Sequence, residues 1–164
     1  MNLEHPDDLL HDQLRDLYSA ESQVILTLPE LARQARHPAL RRLLVDHENQ
    51  SLEQKERLQR VAERHGIEAS GDLCKAMQGL IEGGNEHLEH AKDPLVRDLL
   101  LIAHCNRIKH YEIAGYGFIL SLAECLGRRE DAEDFAHTLD QEKQFVSELA
   151  KQGNALFGLP PTVS

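Results

Sequence analysis

The sequence has little of what several common functions need. It contains no tryptophan, and the aromatic residues together make up only 4% of the chain. This composition disfavours a surface on which the bases of single-stranded nucleic acid would stack. Acidic residues outnumber basic ones by 28 to 18, and the resulting formal net charge of −10 repels a phosphate backbone. We therefore expect no nucleic-acid partner.

Long apolar runs and paired cysteines are also missing. No stretch approaches the roughly 20 apolar residues of a membrane-spanning helix, and the acidic N-terminus lacks the apolar segment of a secretory signal. Cysteine occurs at three scattered positions without CxxC spacing, namely Cys74, Cys105 and Cys125. Such thiols are typical of a reducing compartment and argue against a disulfide scaffold or a cysteine zinc site. We expect a cytoplasmic protein without membrane contact, whose thiols pack in its core.

Helix start and stop signals divide the chain into five segments, and strand-like alternation is absent. Asp93 and Pro94 form the clearest start, with Asp as the N-cap and Pro at the first helical position. Gly66 is a typical helix end, and Ser70 is the predicted cap of the third helix. The sequence thus predicts an all-α protein that forms a single domain over residues 1–164. The predicted helices span about residues 6–35, 38–65, 70–90, 94–126 and 130–152.

Polar residues interrupt the apolar seams of the four long helices about halfway along. The seam of the first helix consists of Leu10, Leu14, Leu17, Glu21, Val24, Leu28 and Leu31. The predicted seam of the fourth consists of Leu95, Leu99, Ile102, Asn106, Lys109, Ile113, Tyr116 and Leu120. The second helix is polar between His47 and Gln54, and the fifth carries Glu142. Because the interruptions fall at one level, we expect a polar layer inside an antiparallel four-helix bundle, with the third helix as a crossover.

Buried carboxylates in such a layer need partners, and a pair of iron or manganese ions is one solution. Ferritin-like bundles hold these ions with Glu residues and Glu-x-x-His motifs. The candidate metal ligands are Glu21, His47, Glu112 and Glu142, but Glu-x-x-His is missing from the second and fifth helices. Drift of the helix phase, which would turn these side chains to the surface, is the remaining alternative.

The other solution is a network of protein groups centred on Lys109, which needs no cofactor. An ammonium group among carboxylates takes the place and the charge of a metal cation. We hypothesise that Lys109 pairs with Glu21 and Glu142, and that Glu112, one helical turn away, joins them. The other predicted members of this polar network are Gln50, Gln54 and Tyr116, the last through its hydroxyl group.

Four segments resemble the YciE/YciF family of bacterial proteins: DLYSAESQ in the first helix, CKAMQGLIE in the third, KHYEIAGYG in the fourth and TLDQEK in the fifth. The resemblance covers about residues 5–152. It implies a ferritin-like, rubrerythrin-type helical bundle and a homodimer. It also implies a role in bacterial stress responses without an established activity.

The same resemblance implies a metal site made of Glu residues on the first, second, fourth and fifth helices. Three residues match that pattern, namely Glu21, Glu112 and Glu142. Three others stand where family members often have Glu, namely Gln50, Lys109 and Gln141. We therefore expect a stress-related protein without catalysis, in which a lysine–carboxylate network replaces the metal. The alternative is a di-iron or di-manganese protein that acts on peroxide or oxygen, and a weaker one is a module that docks an unknown protein partner through acidic faces.

Overall fold

The computed structural model describes residues 2–158, which form five α-helices and contain no strand. The helices are α1 (Pro6–Gln34), α2 (Pro38–Arg64), α3 (Lys75–His90), α4 (Pro94–Cys125) and α5 (Arg129–Leu156). The prediction of an all-α chain is confirmed, and the bounds of α1, α2 and α4 agree with the predicted ones to within a residue.

Helices α1, α2, α4 and α5 form an antiparallel four-helix bundle. Helix α1 packs on α2 and α4, and α5 packs on α4 and α2. Contacts at the helix ends give the directions: Arg128 after α4 donates to Asp7 in α1, whereas Asp98 near the start of α4 accepts the backbone N–H groups of Arg36 and His37 after α1. Helix α3 lies in the one long connection and packs on α4 and α1. This is the connectivity of ferritin-like bundles, as predicted.

Several helix ends follow the residues that signal them in the sequence. The Asp93 carboxylate accepts the N–H of Val96 at 3.0 Å and caps α4, with Pro94 at the first helical position. Gly66, just beyond α2, has a φ of 63°, in the left-handed region that disfavours residues with a Cβ. Both predictions are confirmed.

The third helix begins later than residue 70. Ser70 does not cap it, because the Ser70 hydroxyl donates to the carboxylate of Glu68 at 2.8 Å. The cap is Cys74, whose sulfur accepts the N–H of Met77 at 3.4 Å. The backbone N–H of Cys74 in turn donates to the hydroxyl of Ser19 in α1 at 2.9 Å. A tertiary contact, rather than the nearest serine, therefore sets the start of α3.

The fifth helix begins at Arg129 and continues to Leu156 instead of ending near residue 152. Gly153 is buried within it, and a Cβ at this position would lie 3.7 Å from the side chain of Ile102 in α4. Gly153 therefore lies in the packing between α5 and α4. The helix stops before Gly158, which has a φ of 69°.

The predicted seam of α4 is only partly buried, whereas that of α1 is buried at every position. Lys109 and Tyr116 are buried as predicted, but Leu95 is 47% exposed. The residues of α4 that are buried are Asp98, Leu101, His104, Cys105, Ile108, Lys109, Glu112, Tyr116, Ile119 and Ala123. Helix α4 packs against α1, α3 and α5, so apolar residues occur on several of its faces. The spacing of apolar residues in the sequence of α4 therefore does not identify one buried face.

The structure corrects the expectation about the three thiols. Cys74 and Cys105 are buried, but Cys125, the last residue of α4, is exposed, so the expectation that all three thiols lie in the core is wrong. Within residues 2–158, no helix combines the length and the apolar character that crossing a membrane requires.

The close approach of α3 to α4 depends on Gly84. A Cβ on Gly84 would overlap the imidazole ring of His104, whereas nothing lies within 4 Å of a Cβ built on the neighbouring Gly83. The packing of α3 on α4 therefore requires glycine at position 84, whereas position 83 has room for a Cβ.

We expect Gly84→Ala to lower the free energy of unfolding by about 1–3 kcal/mol, because the added methyl group must displace the buried ring. Gly83→Ala is the matched control and should leave the stability unchanged or raise it by up to about 1 kcal/mol. Urea unfolding of both variants provides the measurement. Equal effects would contradict this account of the α3–α4 contact.

Candidate functional site

A polar layer crosses the centre of the bundle and separates two apolar clusters. One cluster contains Val24 and Leu44, and the other contains Leu14 and Leu58. Buried polar side chains from all four bundle helices form the layer, namely Glu21, His47, Ser51, Gln54, Lys109, Glu112 and Glu142. The interruptions in the sequence seams thus do meet at one level.

Three carboxylates converge within this layer. Glu21 of α1, Glu112 of α4 and Glu142 of α5 each offer an oxygen atom, and these atoms lie within 4.8 Å of one another. All three side chains are inaccessible to water. Carboxylates this close cannot all carry charge in a buried site unless a cation or protons accompany them.

Lys109 supplies a cation to two of the three carboxylates, Glu112 and Glu142. Its Nζ donates to Oε2 of Glu112 at 2.6 Å and lies 3.3 Å from Oε2 of Glu142, with which it forms a salt bridge. Lys109 is only 1% exposed. Because Glu112 is on the same helix and Glu142 is on α5, the ammonium group links α4 to α5 at the centre of the bundle.

Glu21 has a different partner from the one hypothesised. No hydrogen bond or ion pair joins it to Lys109 in the described chain; instead its Oε1 accepts a hydrogen bond from the hydroxyl of Tyr116 at 2.9 Å. Burial raises the pKa of Glu21, and the charge of Lys109 opposes that rise from a longer distance. Tyr116 thus links α4 to α1, as Lys109 links α4 to α5.

His47 borders the carboxylates from α2. Its Nε2 lies 3.5 Å from Oε1 of Glu142, and its ring stacks on Phe145 with 3.8 Å between the ring centroids. Burial, together with the nearby charge of Lys109, holds the pKa of His47 well below its usual range. The imidazole is therefore neutral at physiological pH and does not add a second cation to the layer.

Of the three glutamines that the sequence singled out, Gln54 is buried in the layer, and Gln50 and Gln141 border it and are partly buried. Oε1 of Gln50 is 3.2 Å from Nδ1 of His47, and Nε2 of Gln54 donates to Oε1 of Gln141 at 3.3 Å. The same oxygen of Gln141 accepts a hydrogen bond from Arg57 at 2.8 Å. Sequence reasoning missed Arg57, although it follows Gln54 by three residues in α2 and therefore shares its face.

Burial raises the pKa of each of the three carboxylic acids. For Glu112 burial and the charge of Glu21 outweigh the influence of Lys109 and bring the pKa to about 8. Burial alone would lower the pKa of Lys109, but the carboxylates raise it above its usual value. Lys109 is therefore an ammonium group near neutral pH, and the raised pKa values favour protonation of the carboxyl groups around it.

The donor set of the layer falls short of a di-metal centre. Ferritin-like centres of this kind use about six ligands, including two Glu-x-x-His pairs, whereas this layer offers three carboxylates and His47. Lys109 Nζ also lies where a cation between Glu112 and Glu142 would lie. One oxygen of Glu21 and one of Glu112 have no hydrogen-bond partner among the described residues, and retained protons are suited to bridge them.

Comparison with known proteins identifies the family to which this chain belongs. Residues 5–157 match the family model described as a domain of unknown function, DUF892. The chain belongs to the DUF892 family. It is 38% identical over 144 residues to Protein YciF of Escherichia coli K12, which corresponds to 87% of each chain.

Two solved structures are similar to this chain over nearly its whole length. The structure of the Escherichia coli stress protein YciF matches with a TM-score of 0.91 and 34% identity, covering 95% of this chain and 99% of that one. The structure of YcfI from Rhodopseudomonas palustris matches with a TM-score of 0.88 and 34% identity, covering 91% and 95%. The resemblance to the YciE/YciF family is thus confirmed.

The raised pKa of Glu112 predicts that stability falls as pH rises through neutrality. The folded chain binds this proton more tightly than the unfolded chain, in which the pKa is about 4.5, so the stabilisation is complete below 4.5 and is lost as pH approaches 8. The slope should be about 1.4 kcal/mol per pH unit for each retained proton. Burial lowers the pKa values of His47 and His104 in the folded chain, so near pH 6.5 the unfolded chain binds more protons at these histidines. They therefore add a slope of opposite sign, which fades above about pH 7.5 as the unfolded histidines lose their protons.

Urea unfolding at several pH values in this window measures the slope. Glu112→Gln should flatten it, because the amide does not titrate. Glu124→Gln, an equal change at an exposed position of α4, should leave it unchanged. The histidine contribution is common to both proteins, so a Glu112→Gln variant with the same pH dependence of stability as the parent would contradict the raised pKa of Glu112.

Removal of the buried ammonium group should destabilise the bundle strongly. We expect Lys109→Met to lower the free energy of unfolding by about 3–5 kcal/mol, because the carboxylates then lack their cation. Lys143→Met, at an exposed position of α5, is the control and should have little effect. If both variants unfold at the same urea concentration as the parent, Lys109 does not stabilise the layer.

Proposed function

We propose that this chain is a stress-related member of the DUF892 family that acts without metal-dependent catalysis, and that a lysine–carboxylate network replaces a metal centre in its bundle. The observation that carries the proposal is the position of Lys109 Nζ, 2.6 Å from Glu112 and 3.3 Å from Glu142. A tethered cation at this point competes with any metal ion for the same oxygen atoms.

The names of the relatives support the proposed stress-related role. Escherichia coli YciF is described as a stress protein, and the chain covers nearly all of its length. YcfI is described as a proposed structural protein. A related role for this chain fits the architecture that it shares with these two proteins. The cytoplasmic homodimer expected from the sequence stays a prediction.

The chemistry of the polar layer supports the proposed absence of catalysis. A lysine that forms a Schiff base must lose its proton first, but the carboxylates around Lys109 stabilise the ammonium form. Tyr116 donates to Glu21 and its pKa is raised by burial, so its phenol also stays protonated. Neither side chain is therefore poised as a nucleophile, and what the groups do is hold three helices together.

Metal analysis tests the proposal directly. The protein, purified without chelators or a histidine tag and then offered Fe(II) or Mn(II), should hold far less than one ion per chain by elemental analysis. Lys109→Glu, which replaces the cation with a fourth carboxylate, should hold more metal than the parent. About two ions per chain in the parent, as in a di-metal bundle, would contradict the proposal if Glu142→Gln lost them, since that loss would place the ions at the layer.

A further inference from the structure

A cleft of about 740 Å³ lies at the end of the bundle where α1 finishes and α2 and α4 begin, and α3 forms its other side. Four arginines line it, namely Arg33, Arg36, Arg41 and Arg97, together with two carboxylate residues, Glu30 and Glu89. A cluster of guanidinium groups is unexpected in a chain whose net charge is −10. We refer to this site as the arginine cleft.

Only one of the four arginines forms an ion pair inside the arginine cleft. Arg33 binds both oxygens of Glu30, at 2.8 and 2.6 Å, so the charges of these two residues cancel. The other three guanidinium groups face a single remaining carboxylate, Glu89. The arginine cleft therefore has a local excess of positive charge, which attracts small anions to a surface that is acidic elsewhere.

Two arginines are held in position by neutral groups. Arg41 donates to the backbone carbonyl of Ala35 at 3.0 and 2.6 Å, and Arg97 donates to the carbonyl of Ala91 at 2.7 Å. These carbonyls orient the side chains without cancelling their charge, which favours binding because less side-chain freedom is lost. The Nε of Arg97 is buried and has no hydrogen-bond partner within residues 2–158.

Arg36 completes the set from the loop between α1 and α2. Its backbone N–H donates to Asp98 at 2.8 Å, which fixes the loop, while its side chain is exposed and forms no ion pair in the described part of the chain. Asp98 is buried and directs its oxygens to the N–H groups of Arg36 and His37, and it does not line the arginine cleft. Arg36 is thus available to an external ligand.

We propose that the arginine cleft binds the phosphate group of a small molecule, either free phosphate or a phosphate carried on a small organic compound. Planar guanidinium groups match the geometry of phosphate oxygens, to which they donate paired hydrogen bonds. A volume of about 740 Å³ is in the range of small-molecule sites. The overall acidity of the chain repels long polyanions but leaves a small anion free to reach the arginine cleft.

The proposal is tested by calorimetric titration of the full chain with inorganic phosphate and, separately, with glycerol 3-phosphate, in chloride buffer of constant ionic strength. Both should bind saturably, and tighter binding of one of them identifies free or organic phosphate as the better ligand. Arg36→Gln should weaken binding by about tenfold or more, because a charge-assisted hydrogen bond is lost. Arg42→Gln, an equal charge change at an exposed position of α2 outside the cleft, should change the affinity by less than about twofold.

Glu89→Gln provides a second variant that does not depend on loss of function. Glu89 is exposed, and removal of its opposing charge should tighten phosphate binding severalfold. Failure of both phosphate compounds to saturate the parent would overturn the proposal. Equal losses in Arg36→Gln and Arg42→Gln would also overturn it, since they would indicate attraction by general charge instead of a site.

Discussion

The whole bundle depends on the balance of charge around one buried ammonium group. Three carboxylates and Lys109 are removed from water together, and each ion would be expensive to bury alone. Their mutual attraction is strong because little solvent screens it. One cation for three acids is nevertheless too few, so protons retained by raised pKa values make up the difference. The charge state of the centre, and hence its contribution to stability, is coupled to pH.

This constraint also fixes how the helices align. Glu21, Glu112 and Glu142 come from three different helices, and Lys109 and Tyr116 on α4 reach the other two. A shift of any one helix along its axis would leave a carboxylate facing an apolar cluster without a partner. Polar residues in helical cores specify register in this way at some expense of stability. The apolar clusters above and below supply burial, and the layer between them supplies alignment.

The sequence predicts this layer well where a helix has one buried face. Glu21 and Glu142 interrupt otherwise apolar seams, so their period places them inside. It predicts the buried face of α4 poorly, because α4 has neighbours on three sides and its apolar residues do not mark a single face. The seam predicted for α4 therefore includes Leu95, which is exposed in the structure. The partner of Glu21 and the start of α3 at Lys75 depend on contacts between residues far apart in the chain. Periodicity and local capping signals contain no information about such contacts.

A lysine and a metal ion at the same point have different consequences for the protein. Stabilisation by a bound ion grows with its free concentration relative to its dissociation constant, so a metal-filled bundle gains or loses stability with the metal supply. A lysine is covalently attached and its local concentration is constant. In the proposed network the centre of the bundle therefore keeps its cation whatever metals are available, and only protons modulate it. A bundle with the proposed network would therefore respond to pH and not to the metal supply.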